Sequence, residues 1–377
     1  MTYNFSSGPS MLPEEVMKEA YKEFLDYSGS GMSVMELNHR SVLFNEIVDK
    51  AKEDLKTLLA IPDNYKILFL QGGASLQFAA VPMNIMKNHK AGFIMTGHWT
   101  KRAYEEAKKY GEVIELASSA DRNYSYIPDC DNLSIADDMD YVHICENNTI
   151  YGTRFTQLPN TFGKAIVSDM SSCILSEPLD VSKYGLIFAG AQKNMGPAGT
   201  TIVIIREDLV RDDVMACTPS VMKYKNQLDN NSRFNTPPCY SIYMCGKVFQ
   251  WLKRIGGLFT MKEINRKKAE LIYDYLDESK LFHGTVEREF RSMANATFTT
   301  GDNNLDMVFV EDSKKAGFVG LKGHRFVGGL RASLYNAIPI ENVEALVRYM
   351  KEFEVAYIGG AYEISNLGIG ISRENIS

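Results

Sequence analysis

The chain has 377 residues, of which 45% are hydrophobic and 23% are charged, as expected for a globular protein large enough for two domains. Its net charge of -6 argues against general nucleic-acid binding, which needs a basic face. No apolar run approaches the roughly 20 residues that span a bilayer, and the first residues lack the basic and apolar segments of a secretory signal. We therefore predict no nucleic-acid partner and no membrane partner.

The cysteines predict the compartment and argue against a metal site. Six are present, without C-x-x-C pairs or zinc-like spacing: Cys130, Cys145, Cys173, Cys217, Cys239 and Cys245. Free thiols are typical of a reducing compartment. The sequence thus predicts a metal-free, cytoplasmic protein.

From about residue 66 the chain alternates short apolar segments with helical ones. The predicted strands are "KILFLQ", "AGFIMTG", "EVIELAS", "YVHICEN", "AIVSDMS", "LIFAGA" and "TIVIIRED". They are apolar throughout, which is typical of strands covered on both faces. The stretches "LQFAAVPMNIMKN" and "HWTKRAYEEAKKYG" predict helices between them. The pattern predicts an α/β fold with a mostly parallel sheet.

The pattern changes after "FNTPP". Residues 239–282 are predicted to be helical. Beyond about 285, the strand candidates "NATFTT", "DMVFVED" and "LRASLYN" alternate with predicted helices at 313–322 and 340–354. This alternation predicts a smaller α+β unit.

These changes of pattern divide the chain into four predicted segments. They are an amino-terminal segment (1–15), a large cofactor-binding domain (16–257), a small α+β domain (258–360) and an unassigned tail (361–377).

Ligands of an open parallel sheet bind at the carboxyl ends of its strands. Gly72 to Ser75 follow the first strand and open a helix, where small residues let backbone amides close around a phosphate. A plain tight turn is the alternative, and neither a Walker motif nor G-x-G-x-x-G is present. Trp99 and Thr149 follow two further strands. Trp99 is a candidate for stacking on a flat ring or for core packing, and Thr149 for ligand binding or a turn cap.

Asp169 ends one apolar strand, and Lys193 follows the next strand along the chain. A carboxylate in apolar surroundings needs a hydrogen bond or a cationic partner. Pyridoxal phosphate requires a lysine for a Schiff base, a carboxylate for the pyridine nitrogen, a phosphate cradle and an aromatic group over the ring. The four strand ends together therefore point to this cofactor.

Five segments resemble the phosphoserine aminotransferase family, class V, fold-type I pyridoxal-phosphate enzymes. They are "YNFSSGPSMLP", "QGGASLQFAAVPMNI", "AGAQKNMGPAG", "FNTPPCYSIY" and "GHRFVGGLRASLYNA". The resemblance runs from the first residues to about residue 354, and the last two segments are the most specific. It implies a large domain with a mostly parallel central sheet and a smaller α+β domain.

The resemblance implies a role for each candidate residue of the cofactor site. Lys193 would form the Schiff base and Asp169 would bind the pyridine nitrogen. The other implied cofactor-binding residues are Ala74, Ser75, Trp99, Thr149, Gln192, Asn235 and Thr236. In the family, the segment with Asn235 and Thr236 reaches the neighbouring subunit's cofactor, which implies a homodimer with shared active sites. From the residues alone, Thr236 and Pro237 are also a predicted helix cap and first helical residue.

Three cationic elements remain. They are His39–Arg40, His324–Arg325 and Arg331. Surface salt bridges are the alternative for each. By the resemblance, Arg331 would bind the substrate α-carboxylate, since a guanidinium matches a carboxylate bidentately. The two His–Arg pairs would bind the distal phosphate or carboxylate.

The resemblance implies transfer of the amino group of glutamate to 3-phosphohydroxypyruvate, which gives O-phosphoserine and 2-oxoglutarate in serine biosynthesis. It also makes 3-hydroxy-2-oxo-4-phosphobutanoate, of pyridoxine biosynthesis, a second candidate substrate. A serine/alanine–glyoxylate aminotransferase is the alternative, but it would not need cations for a distal phosphate. A cysteine desulfurase would need a cysteine near the small domain, and none follows Cys245. A cofactor-binding regulator and a nucleotide-binding module are the non-catalytic alternatives.

Overall fold

A computed structural model of the chain describes residues 2–358, so the predicted tail (361–377) lies outside the described residues. The strands are β1 (Tyr3–Asn4), β2 (Tyr65–Leu70), β3 (Lys90–Met95), β4 (Glu112–Ser118), β5 (Tyr141–Cys145), β6 (Ala165–Asp169), β7 (Leu186–Gly190), β8 (Thr201–Arg206), β9 (His283–Gly284), β10 (Asn295–Thr299), β11 (Phe318–Val319) and β12 (Leu330–Ser333). The α-helices are α1 (Glu14–Lys22), α2 (Val42–Leu58), α3 (Gly73–Ile85), α4 (His98–Ala107), α5 (Tyr224–Asp229), α6 (Cys239–Arg254), α7 (Gly257–Glu278), α8 (Asn303–Lys315) and α9 (Ile340–Ile358).

Seven strands form the central sheet, in the order β2-β8-β7-β6-β5-β3-β4. Only β8 runs against its neighbours β2 and β7. The register pairs Cys145 with Asp169 and Asp169 with Phe188, so Asp169 lies in the middle of the sheet, at its carboxyl edge. The predicted α/β fold with a mostly parallel sheet is confirmed.

Hydrophobic residues cover both faces of this sheet. Along β5, Val142 and Ile144 belong to the cluster that includes residues of α2 and α6, while Tyr141 belongs to the cluster of α3 and α4. This alternation explains why the central strands are apolar throughout. The predicted burial of both strand faces is wrong for β4, because this strand lies at the sheet edge and exposes Glu112 and Glu115.

The carboxyl-terminal part forms a second, smaller core around the antiparallel sheet β12-β10-β9. The amino terminus joins it, since β1 pairs in parallel with β11 and Phe5 is fully buried there. Helix α7 contributes Leu258 and Met261 to the large core and Ile272 to the small one. The domain boundary between residues 257 and 258 stays a prediction.

The structure corrects the predicted strand "DMVFVED" and the predicted helix at 313–322. Residues 306–312 belong to α8, which ends at Lys315, and the short strand β11 follows. The Asp302 side chain caps α8 by accepting a hydrogen bond from the Asn304 amide. Leu305, Phe309 and Ser313 are buried at four-residue spacing, which is helical periodicity. The valines and phenylalanine favour a strand locally, and packing of one helical face overrides them.

The helical segment predicted at 239–282 is two helices. The break comes at Gly256, whose φ of 105° is a left-handed value that ends helical geometry. The predicted cap is also wrong, because α6 begins at Cys239 with Pro238 before it. Thr236 is exposed, and its carbonyl oxygen accepts a hydrogen bond from Gln71 Nε2 at 2.8 Å. The last described helix, α9, continues to Ile358, four residues past its predicted end at residue 354.

His143 on β5 predicts acid-sensitive folding. Its ring is buried between Phe93 and Phe188, and Nε2 has no hydrogen-bond partner among the described residues. Burial lowers its pKa to about 3, so it stays neutral in the fold while the unfolded chain protonates below pH ~6.5. The free energy of unfolding should fall by about 2–3 kcal/mol from this residue between pH 7 and pH 4.5.

The measurement is urea unfolding at both pH values. His143→Phe should remove most of that loss, because the replacement does not titrate. His283, exposed on β9, gives the matched control His283→Phe. Equal pH dependence in the wild type and His143→Phe would contradict the assignment.

Candidate active site

A cavity of about 330 Å³ opens at the carboxyl edge of the central sheet. It lies where strand ends of the part built on the seven-stranded sheet, here called the large unit, meet His324 and Arg331. These two residues belong to the part built on the sheet β12-β10-β9, here called the small unit. Nine of the predicted site residues line it: Ala74, Ser75, Trp99, Thr149, Asp169, Gln192, Lys193, His324 and Arg331. Because parallel strands end at the same edge, residues far apart in the chain meet in this cavity.

Lys193 lies three residues beyond the end of β7, and its ammonium points into the cavity. Lys193 Nζ donates a hydrogen bond to Thr149 Oγ1 at 2.6 Å. The carbonyl oxygen of Thr149 in turn accepts from Arg331 at 2.9 Å. Thr149 therefore joins the lysine of the large unit to the arginine of the small one, and it is not merely a turn cap.

Asp169 is buried at the end of β6, with 5% of its surface exposed. Its Oδ1 accepts hydrogen bonds from the Ser171 amide at 2.9 Å and the Ser171 hydroxyl at 2.6 Å. Burial raises the pKa of Asp169, while the Ser171 hydrogen bonds and the charge of Lys193 oppose the shift. A cationic ligand would stabilise the carboxylate here far more than it would at the surface.

The amino terminus of α3 provides a cradle for an anion. Gly72 caps it in a left-handed conformation, with φ of 90°, and no side-chain cap hydrogen bond is made there within residues 2–358. Gly73, Ala74 and Ser75 line the cavity, as does Gln192. Free amides and the helix dipole favour a phosphate at this position.

Trp99 forms another wall of the cavity. It is half-buried, and its indole Nε1 has no hydrogen-bond partner in the part of the chain that the structure describes. The Arg102 guanidinium carbon lies 5.5 Å from its ring centroid. Since Trp99 lines the cavity and is not part of a closed core, a face of the ring is available to a flat ligand.

Positive charge is concentrated on the side of the cavity formed by the small unit. Arg331 is 6% exposed, its Nε has no partner, and burial lowers its pKa. Burial, with the nearby charges of Arg331 and Arg325, also lowers the pKa of His324. Among residues 2–358, no carboxylate forms a salt bridge with Arg331 or Arg325. An anionic ligand would relieve this repulsion.

The structure leaves five predicted residues outside the cavity lining. Arg325 lies beside it, in the loop that carries His324. The others lie on two surface segments. His39 is half-buried and Arg40 exposed ahead of α2, and Asn235 and Thr236 are exposed ahead of α6. Arg40 and Arg233 lie close enough to contribute to a lowered pKa of His39, after burial. The two surface segments are therefore near each other.

Sequence analysis missed several residues of the site. Ser171 holds Asp169, and Asn147 and Ser172 line the cavity. Ser7 and Gly8 also line it. A Cβ atom on Gly8 would lie 3.3 Å from Lys193 Cγ, and φ of Gly8 is 131°, so this close approach favours glycine. The segment "SSGPS" belongs to one of the five segments that resemble the family, but the resemblance does not imply a role for its glycine.

The cavity combines the groups that pyridoxal phosphate needs. Of the described residues that line it, Lys193 alone has a primary amine, and Asp169 alone is a carboxylic acid. An amide cradle and an aromatic face complete the set. The unpartnered Nε of Arg331 leaves a donor for a carboxylate of a second ligand. The residues therefore fit this cofactor together with an amino or oxo acid.

Neither a metal site nor a membrane span is found in the part of the chain that the structure describes. No cluster of three or more His, Cys, Asp or Glu residues is placed to bind a metal ion within residues 2–358. Over the same residues, no helix combines the length and apolar character needed to cross a bilayer.

Comparison with known proteins agrees with this site. The chain matches the class-V aminotransferase family over residues 2–346. Phosphoserine aminotransferase of Bacillus cereus is 51% identical over 354 residues, which cover 94% of this chain and 98% of that protein.

Two solved structures share the fold. Phosphoserine aminotransferase from Bacillus circulans subsp. alkalophilus has a TM-score of 0.92 and 45% identity, covering 95% of this chain and 99% of that one. The PLP-bound phosphoserine aminotransferase from Trichomonas vaginalis has a TM-score of 0.89 and 38% identity, covering 93% and 100%. The chain therefore belongs to the class-V aminotransferases, within the phosphoserine aminotransferase family.

Proposed function

We propose that this protein is a pyridoxal-phosphate-dependent aminotransferase that moves the amino group of glutamate to 3-phosphohydroxypyruvate, giving O-phosphoserine and 2-oxoglutarate. The observation that carries the proposal is the single cavity in which Lys193, Asp169 and Arg331 meet. The names of relatives at about half identity support the same substrates.

Each residue has a distinct task in this proposal. When bound, pyridoxal phosphate supplies an aldehyde and an electron-withdrawing ring. Lys193 would hold the aldehyde through its amine and, when that amine is free, would move a proton at the substrate Cα. Asp169 would hold a proton on the ring nitrogen, and the first amides of α3 would bind the phosphate. Thr149 keeps Lys193 in place through the bond of 2.6 Å.

Arg331 and the His–Arg pairs divide the recognition of the substrate. Arg331 binds the α-carboxylate that all amino and oxo acids share. His324 and Arg325, with His39 and Arg40, bind the distal anion, which is a phosphate or the side-chain carboxylate of glutamate. One distal site would then serve both substrates. It would also accept 3-hydroxy-2-oxo-4-phosphobutanoate, which shares both ends.

The visible absorption spectrum of the purified protein tests the proposal. The band of the bound cofactor should be lost on addition of glutamate and return on addition of 3-phosphohydroxypyruvate. Return of the band with glyoxylate or pyruvate instead would favour the serine/alanine–glyoxylate alternative. No band after addition of pyridoxal phosphate would contradict the roles of Lys193 and Asp169.

The division between the two anion sites predicts different mutant profiles. Arg331→Ala should lower kcat/KM by roughly 100-fold for every substrate, because a charged partner of the α-carboxylate is lost. Arg325→Ala should instead lower kcat/KM for glutamate and 3-phosphohydroxypyruvate far more than for alanine, which has no distal anion. Equal losses for glutamate and alanine in Arg325→Ala would contradict a distal role.

We also propose a homodimer with shared active sites. The residues His39, Arg40, Asn235 and Thr236 lie outside the cavity of their own chain. Exposed apolar side chains lie near these segments in the chain or line a cavity together with Asn235: Met32, Met35, Val42, Leu76, Val221 and Phe234. Such a surface favours an interface with a second copy, which would bring the two segments to the partner's cavity.

Mixing two inactive variants tests the shared sites. Lys193→Ala and Arg40→Glu chains, unfolded and refolded together, should regain about a quarter of wild-type activity, because half of the dimers are mixed and each has one intact site. A chain with both substitutions, mixed with Lys193→Ala, is the control and should regain none. No recovery in the first mixture would place Arg40 at its own subunit's site.

The cellular location and the domain boundaries belong to the same proposal. A cytoplasmic location is supported by the cysteines, all six of which are free thiols. The division into a large domain (16–257) and a small domain (258–360) is supported by the separate hydrophobic cores. Both stay predictions.

A further inference from the structure

His98 is a histidine beside the active site that the proposed chemistry does not use. It is the first residue of α4, next to Trp99, and it is half-buried without lining the cavity. Its ring centroid lies 4.9 Å from that of Phe326 and 6.0 Å from that of His324. His98 therefore connects the large unit to the loop of the small unit that carries His324.

That loop, residues 324–328, has few other attachments. Its described hydrogen bonds are internal: Val327 and Gly328 amides donate to the His324 carbonyl oxygen, and the Phe326 amide donates to His324 Nδ1. Among residues 2–358, no hydrogen bond or salt bridge joins 324–328 to the large unit. The position of the loop over the cavity thus depends on packing.

The ring contacts are concentrated on Phe326. This side chain is 56% exposed, and its ring meets His98 on one side and His324 at 4.9 Å on another. The Arg325 guanidinium carbon lies 4.8 Å from the same ring. His98 is the one described ring from outside the loop that contacts it. The ring contact of His98 with Phe326 therefore joins this loop to the large unit.

The charge state of His98 suits a packing role. Burial, with the nearby charges of Arg102, Arg325 and Lys101, lowers its pKa below the usual range. A neutral imidazole packs on Phe326 without adding a further positive charge beside Arg325 and His324.

We propose that His98 is a positioning residue for substrate specificity. Its imidazole packs on Phe326 and holds the 324–328 loop over the cavity, and so it sets the distance from His324 and Arg325 to the distal anion. The claim that His98 holds the loop, its positional part, is argued from the contacts alone. The claim that this affects binding of the distal anion, its specificity part, rests on the proposed function.

Limited trypsin digestion tests the positional part without reference to activity. Trypsin cleaves after Arg325, which is exposed in the loop. His98→Ala should raise the rate of this cut by roughly three- to tenfold, the range of an aromatic contact. His98→Phe should restore the wild-type rate, because it keeps a ring. His283→Ala, at an exposed histidine with no described hydrogen bond or ring contact to the loop, is the control. An unchanged rate in His98→Ala, or no recovery in His98→Phe, would overturn the proposal.

Steady-state and half-reaction kinetics of the holoenzyme test the specificity part. His98→Ala should raise KM for glutamate and 3-phosphohydroxypyruvate by a similar roughly three- to tenfold factor. The rate of the spectral change with alanine should stay at the wild-type value, and His98→Phe should reverse the KM effect. Equal losses with alanine and glutamate, or unchanged KM despite faster cleavage, would overturn the specificity role. A wild type that prefers alanine to glutamate would contradict the proposed function, while the digestion would still decide the loop contact.

Discussion

Replacement of Lys193 by alanine is expected to abolish transamination and to leave the fold intact. Lys193 is the one primary amine among the described residues that line the cavity, so no neighbour can replace it in attaching the cofactor or moving the proton. Loss of both tasks should lower kcat by about 10⁴-fold or more. The side chain makes a single described hydrogen bond, to Thr149, whose hydroxyl can turn to another partner.

The measurements are turnover with glutamate and 3-phosphohydroxypyruvate, the visible spectrum, and the midpoint of thermal unfolding without cofactor. Lys322→Ala, at an exposed lysine two residues from His324, is the matched control for loss of positive charge. Retained turnover in Lys193→Ala would contradict the central assignment. A much lower unfolding midpoint would show that the residue supports the fold.

The second large effect is expected from Asp169→Asn. The amide keeps an oxygen for the two Ser171 hydrogen bonds, so local geometry should survive. It cannot carry the negative charge that holds a proton on the ring nitrogen. Removal of one partner from a buried charge pair is costly, and kcat should fall by roughly 100- to 1,000-fold.

In the absence of cofactor, the same substitution should leave the stability of the fold unchanged or raise it. Burial raises the pKa of Asp169 despite the nearby charge of Lys193, which means that its ionised form destabilises the fold in the absence of cofactor. Asp169→Asn should therefore unfold at the same or a higher temperature than the wild type when cofactor is absent, and gain less stability when cofactor is added. Near-normal turnover in Asp169→Asn would contradict the proposed contact with the ring nitrogen.

Errors in the prediction of secondary structure have a common physical origin. Residues 306–312 have the valines and phenylalanine of a strand, yet Leu305 and Phe309 need one helical face to reach the small core. The break at Gly256 and the exposed Thr236 likewise depend on how neighbouring segments pack. Local propensity does not include those neighbours.

The sequence by itself determined which side chains meet at the edge of the sheet. Asp169 ends an apolar strand, and Trp99, Thr149 and Lys193 each follow one. Because strands that run in parallel must end at one edge, their meeting needs no knowledge of distant contacts. The residue types then indicate a chemistry, because few cofactors use an amine, a carboxylate and an aromatic face together.

Only the tertiary structure decided which remote segments complete the cavity. Gly8 approaches Lys193 from the amino terminus, and Arg331 reaches Thr149 from the small unit, across 182 residues of chain. His98 and Phe326 meet in the same way. Such contacts depend on how two hydrophobic cores pack against each other, and no local spacing encodes that orientation.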